Sequence, residues 1–179
     1  MKIGMIADTH IPVVAKKLPD EITAAFENVD LILHAGDIQV SRVLDELEQI
    51  APVYAAQGNN DYFEDPRMKP VQFLEIGGLK VATIHIFVYP ETPLQTYWRE
   101  WQQKVDVVVI GDTHVPELLE SEGVLMVNPG SPTSPGPNMY LGLGHVGILD
   151  ISEGQAEAKI ISLKDGAIIT GQLRASRPL

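Results

Sequence analysis

The sequence predicts an α/β fold in which two packed β-sheets are flanked by helices, a four-layer α-β-β-α sandwich. Two observations carry that expectation. The first half alternates short Val- and Ile-rich runs with amphipathic segments, a β-α-β-α-β opening. The second half is rich in further apolar runs separated by turn residues. No linker is long enough to divide the chain, so one domain over residues 1–179 is expected.

Each element has its own signal. Residues 2–7, 30–34, 52–56, 80–85, 105–110 and 124–127 are short apolar runs bounded by Gly, Asp or Asn, and they read as buried strands. Residues 19–28, 40–50 and 93–104 carry apolar residues at helical spacing, with Pro19 and Ser41 as start signals for the first two. Residues 145–151 and 156–163 read as a strand pair turning at Ser152-Glu153-Gly154, and 167–173 adds a further strand. The Pro-, Gly- and Ser-rich stretch 129–139 is a loop. Trp98 and Trp101, three apart on a helix, read as packing residues, with a partner surface as the other reading.

Composition narrows the chemistry. With no cysteine, disulfides, thiolate nucleophiles and thiolate-bound zinc are excluded, so any metal must be held by His, carboxylate, amide or water. A net charge of -11 disfavours nucleic acid as a partner. It does not disfavour a phosphate compound, because bound cations reverse the local field. No apolar run reaches the roughly 20 residues that span a bilayer. The amino end reads as a strand, not a secretion signal, so a cytoplasmic location away from membranes is expected.

The polar residues fall where the apolar runs close. Asp8 and His10 end the first run, Asp37 follows the second, and Asn59 and Asp61 follow the third. His85 closes another, Asp112 and His114 follow the next, and Asn128 closes a later one. Ligands of open α/β sheets bind outside the carboxyl ends of strands. Residues i and i+2 of an extended chain face the same side about 6.5–7 Å apart, so each Asp-Thr-His can present two ligands to one cleft. Singly, such residues are turn formers or hydrogen-bonded core groups. Turn chemistry does not account for histidines repeated at the same places.

The ordered set Asp8-Thr9-His10, Gly36-Asp37, Gly58-Asn59-Asn60-Asp61, His85-Ile86-Phe87, Gly111-Asp112-Thr113-His114 and Asn128-Pro129-Gly130-Ser131 resembles the calcineurin-like metallophosphoesterases, in particular their small single-domain phosphodiesterase branch. The resemblance covers about residues 1–135. It implies a hydrolase for a small-molecule phosphoester, most simply a phosphodiester, in which water activated on an ion pair attacks phosphorus. It implies one metal held by Asp8, His10, Asp37 and His114, and a second held by the bridging Asp37 with Asn59, His85 and Asp112. Mn is the best-suited metal, with Fe, Zn, Ni or Mg as alternatives. Asp37, Asn59 and Asp61 are the implied catalytic residues, Asp61 orienting a ligand or water.

Two departures stand out. Asp112 occupies a position where the family has His; it is read as a ligand, or else as an acid hydrogen-bonded to His114 or His85. Phe87 and Asn60 occupy positions where relatives carry histidines near the reacting phosphate, which removes the usual proton donors to the leaving group. Asn60, Phe87, Tyr89 and the 131–139 loop are read as pocket walls. His34 is read as support for Asp37 or as core, and His145 as structural. The same resemblance includes a retromer subunit, so a scaffold or binding module that lost catalysis is the second reading. A homo-oligomer is left open.

Overall fold

The computed structural model describes residues 1–137, 141–168 and 173–176. Strands β1 (Lys2–Ile6), β2 (Leu31–His34) and β3 (Val53–Ala56) lie parallel and in order, and β4 (Met68–Lys69) extends the row beyond β3. On the other side of β1, β10 (His145–Ser152), β11 (Gln155–Ser162) and β12 (Leu173–Ser176) continue the sheet antiparallel. The second sheet has the order β5-β6-β7-β9-β8, formed by β5 (Val71–Ile76), β6 (Leu79–Ile84), β7 (Val107–Val109), β8 (Glu117–Ser121) and β9 (Val124–Asn128). Helices α1 (Glu21–Ala25) and α2 (Ser41–Glu48) follow β1 and β2, and α3 (Leu94–Trp101) joins β6 to β7.

The two-residue period of the strands builds the layers. Ile3, Met5, Leu31 and Leu33 face Val107, Val109, Leu125 and Val127 in a core between the sheets. The intervening Ile6 and Ile32 turn the other way, onto Ile22, Phe26, Val43, Leu44 and Leu47 of the α1 and α2 layer. Across the molecule, Val108 and Met126 turn outward onto Leu94, Trp98 and Trp101 of α3. The result is the expected α-β-β-α arrangement, with both tryptophans used in packing. Among the described residues no helix is long and apolar enough to cross a membrane.

Several details differ from the sequence reading. The helices are shorter than their apolar patterns, and the first begins at Glu21 after Asp20. Ser41 is the first residue of α2 but does not cap it; its Oγ donates to Asp65 Oδ2 at 2.6 Å. Strands β4, β5 and β8 were not anticipated. In β5 the buried Gln72, which donates to the carbonyls of Ala55 and Arg67, interrupts the apolar pattern. In β8 the sequence ELLES belongs to an edge strand and stays largely exposed. Of the strand expected over 167–173, Ile168 bridges to Ile161 and Leu173 opens β12, while 169–172 lie outside the described residues.

Candidate metal centre

The carboxyl ends of strands from both sheets meet at one rim. Asp8 N donates to Gly36 O at 3.0 Å, Gly111 N to His85 O at 3.0 Å, and Asp112 N to Asp8 Oδ1 at 3.1 Å. These bonds bring the loops after β1, β2, β6 and β7 into contact. Asp8, His10, Asp37, His85 and His114 are all buried there, while the Asp112 side chain stays 45% exposed at the edge.

The backbone is bent sharply to present them. Asp8, His10, Asp37, Asp112 and His114 all have left-handed φ, between 46° and 72°. That region is disfavoured for residues with a Cβ, and its concentration here marks a site where geometry is held against local preference. Glycine is required alongside. A Cβ on Gly58 would sit 2.2 Å from the Asp37 amide nitrogen and carboxylate, and one on Gly36, itself at φ 89°, would sit 2.8 Å from the His85 ring.

Two triads result. Ligand atoms of Asp8, His10 and His114 lie within 4.8 Å of one another, as do those of Asp8, Asp37 and His85. Asp8 belongs to both, and its Oδ2 is buried without a hydrogen-bond partner. Asp37 straddles them, with Oδ2 3.3 Å from His10 Nε2 and Oδ1 3.4 Å from His85 Nε2. His114 Nδ1 donates to Ser134 O at 2.7 Å, which leaves its Nε2 bare toward the centre, and His85 Nδ1 donates to Ala35 O at 2.8 Å, which turns its Nε2 toward the centre as well. The His10 ring stacks on His114, with Nε2 atoms 3.1 Å apart. Asn59 Oδ1 and Asp112 Oδ1 come within 2.8 and 3.7 Å of His85 Nε2.

Electrostatics agree with the geometry. Burial pushes the Asp8 carboxyl well above the ordinary carboxylate range, the Asp112 N–H counters this, and the charges of Asp37 and Asp112 add to it. Burial lowers the His10 imidazole, against the pull of Asp37. A buried carboxylate with an unpartnered oxygen, beside imidazole lone pairs and with no sulfur donor, is chemically suited to a divalent cation of the Mn, Fe or Zn kind.

The remaining candidates have other duties. Asp61 Oδ1 accepts from Ile38 N and Gln39 N, each at 2.7 Å, and Oδ2 from Gly58 N and Asp37 N at 2.7 and 3.1 Å. With both oxygens taken, it positions the Asp37 loop. Asn60 braces Asp37, its backbone N and Nδ2 donating to the two carboxylate oxygens at 2.9 and 2.7 Å. His34 supports the same turn, Nδ1 accepting from Gly36 N at 3.2 Å and Nε2 facing Thr9 Oγ1. Asn128 Nδ2 donates to Gly111 O and Thr113 Oγ1, fixing the turn before His114. In the 131–139 loop, Ser131 and Thr133 hold the carbonyls of Asp8 and Thr9 from beneath, and 138–139 lie outside the described residues. His145 is half-buried at the start of β10.

Phe87 and Tyr89 do line a cleft of about 260 Å³ that opens beside Asp112. Sequence reasoning missed Gln39, whose Nε2 lies 2.9 Å from His10 Nδ1. Its place two residues after Asp37 was the one available signal.

Two buried carboxylate–imidazole triads at the joined strand ends of an α-β-β-α sandwich define a metal-binding phosphoesterase type of protein. The family model for the calcineurin-like phosphoesterase superfamily domain matches residues 1–154, and the chain belongs to that superfamily. A probable metallophosphoesterase of Methanothermobacter thermautotrophicus is 42% identical over 139 residues, 75% of this chain and 79% of that protein. A phosphodiesterase of Methanocaldococcus jannaschii is 32% identical over 166 residues, 84% of this chain and 93% of that protein. Among solved structures, vacuolar protein sorting 29 of Cryptosporidium parvum superposes with a TM-score of 0.80 at 21% identity, covering 98% of both chains. A zinc complex of wild-type Vps29 from Entamoeba histolytica gives 0.79 at 23% identity, over 98% of this chain and 100% of that one. These two likenesses are of fold.

Proposed function

We propose that this protein is a divalent-cation-dependent phosphodiesterase acting on a small molecule. The observation that carries the reading is the pair of triads sharing Asp8 and straddled by Asp37. Asp8, His10 and His114 would hold one cation; Asp37 and His85 would hold a second with Asp8, and Asn59 and Asp112, both near His85 Nε2, would join it. Divalent cations bound there supply Lewis acidity toward a phosphoryl oxygen and lower the pKa of water.

The chain's own residues favour a diester over a monoester. Among the described residues no lysine or arginine pairs with the candidate ligands, and none lines the adjoining cleft. Three carboxylates, Asp8, Asp37 and Asp112, offset most of the charge of two divalent ions. The single net positive charge left over matches a phosphodiester monoanion better than a monoester dianion. The imidazoles of His10, His85 and His114 are fixed in place by their neighbours, so substrate is oriented by a rigid frame.

The test is hydrolysis of bis(4-nitrophenyl) phosphate and of 4-nitrophenyl phosphate by chelator-stripped protein, with and without Mn²⁺. Turnover of the diester that requires the cation, exceeds that of the monoester and is lost in Asp37→Ala is the expected result. No turnover with any divalent cation would remove the reading.

A second reading, a binding module on the same fold, draws on one observation. Phe87 stands at the rim in place of an imidazole and stacks on Tyr97 with ring centroids 4.2 Å apart, next to Trp101 and the partly exposed Phe73. Stoichiometric cation binding without any turnover would favour it.

A further inference from the structure

We propose that the cleft beside Asp112 is a subsite for a flat, apolar ester group of the phosphodiester, and that it rejects ester groups carrying negative charge; the inference rests on the phosphodiesterase reading above. The cleft adjoins the triads directly, since Gly111, Asp112 and Thr113 border it and Asp112 N is bonded to Asp8. Its volume of about 260 Å³ exceeds the roughly 150 Å³ of an apolar cavity that takes up benzene and stays below the roughly 300 Å³ at which pockets begin to enclose whole drug-sized ligands, so it has room for one ring-sized group and its substituents.

One part of the wall is apolar and braced. Phe87, Tyr89, Leu119 and Met126 line the cleft. Phe87 is held from behind by its stack on Tyr97, and Tyr89 is tied to β8 by a 2.6 Å hydrogen bond between its hydroxyl and Ser121 Oγ. Walls fixed before binding spare the ligand the cost of ordering them. A flat apolar group gains by desolvation there, whereas a small alkyl ester leaves the cleft unfilled.

Charge sets the second half of the preference. The lining includes Glu91 and Glu117, with Asp112 at the mouth, and no lysine or arginine among the described residues. An anionic substituent entering the cleft meets like charge and no counter-ion. For partly exposed carboxylates a few ångströms away, the penalty corresponds to about fivefold or more in affinity.

Symmetric diesters make the test independent of which ester group enters the cleft. Calorimetry on the Mn²⁺-loaded protein would compare diphenyl, dimethyl and bis(4-carboxyphenyl) phosphate. Diphenyl phosphate is expected to bind at least about tenfold more tightly than dimethyl phosphate, and at least about fivefold more tightly than the dicarboxylate. Replacing the exposed acids together, Glu91→Gln with Glu117→Gln, should recover binding of the dicarboxylate. Leu119→Trp, which fills the cleft from a partly exposed position, should bring diphenyl phosphate down toward dimethyl phosphate. Equal affinities across the three diesters, in a protein that does hydrolyse bis(4-nitrophenyl) phosphate, would overturn the subsite and leave the phosphodiesterase reading standing. Ranked affinities without hydrolysis would support the subsite and overturn the catalytic reading.

Discussion

The side-chain amide of Gln39 meets His10 with Nε2 2.9 Å from the ring Nδ1, while Gln39 Oε1 is buried and has no partner. In this arrangement His10 accepts at Nδ1 and carries its proton on Nε2, which it donates to the bare Nε2 of His114 3.1 Å away. Offering the Nε2 lone pair to a cation requires the proton to stand on Nδ1 instead. A half-turn of the Gln39 amide brings Oε1 to accept it. Gln39 therefore serves both tautomers of His10.

Gln39→Leu removes that acceptor and should weaken cation binding about 10- to 100-fold. Gln39→Glu keeps an acceptor and should retain most of it. Titration calorimetry with Mn²⁺ gives the affinities. ¹⁵N spectra of the imidazoles in the zinc-loaded protein give the tautomer, a signature that a change in packing would not reproduce.

Asp8→Asn should change stability in opposite directions with and without metal. In chelator, the substitution replaces a buried acid whose Oδ2 has no partner, so the unfolding free energy at neutral pH should rise by about 1–3 kcal/mol. With Mn²⁺ present the wild type should be the more stable, because only it gains the binding free energy. Thermal unfolding in the two buffers checks both signs.

His34 should give the metal-free protein an acid-sensitive stability. Burial lowers its imidazole to about 3, against about 6.5 in an unfolded chain. Between those values the unfolded state holds the proton and the folded state does not, so stability is full above about 6.5 and falls as pH drops toward 3. The slope from this residue is at most about 1.4 kcal/mol per pH unit. In His34→Asn, whose Oδ1 can take the Gly36 N–H, one proton should vanish from the slope. Urea unfolding at several pH values measures it.

Turnover should depend steeply on the leaving group. Phe87 and Asn60 supply no transferable proton in the range of a general acid, and both Asp61 oxygens are engaged by backbone N–H groups. Losing general-acid assistance is worth about 10²–10⁴-fold, and the loss falls on poor leaving groups. Aryl diesters of rising phenol pKa should show a strong fall in kcat. A flat dependence would mean that a proton donor is present after all.

Much of this was legible in the chain because strand ends are marked by composition. Runs such as GMIA before Asp8 and VVVI before Gly111 give both the strand and the place where it releases the chain, so the polar residues that follow could be ordered around one rim. Residues whose importance comes from contacts across the fold were harder to read. Gln39 looks like a loop residue until the turn at Gly36 brings it against His10, and the backbone N–H groups that Asp61 accepts from, the Asp37 amide among them, could not be read from its place in Gly58-Asn59-Asn60-Asp61. The division of labour between Asp8 and Asp37 was also hidden: sequence spacing does not reveal which carboxylate is common to both triads. Of the strands missed, β4 is only two residues long, and β5 and β8 break the alternation with a satisfied buried Gln72 and with an exposed acidic edge.

Whether this rim grips a pair of cations is decided by anomalous scattering from crystals grown with Mn²⁺. Two peaks are expected, one contacted by Asp8, His10 and His114 and the other by Asp37 and His85. Absence of any peak touching Asp8, in protein that is folded and free of chelator, would contradict it.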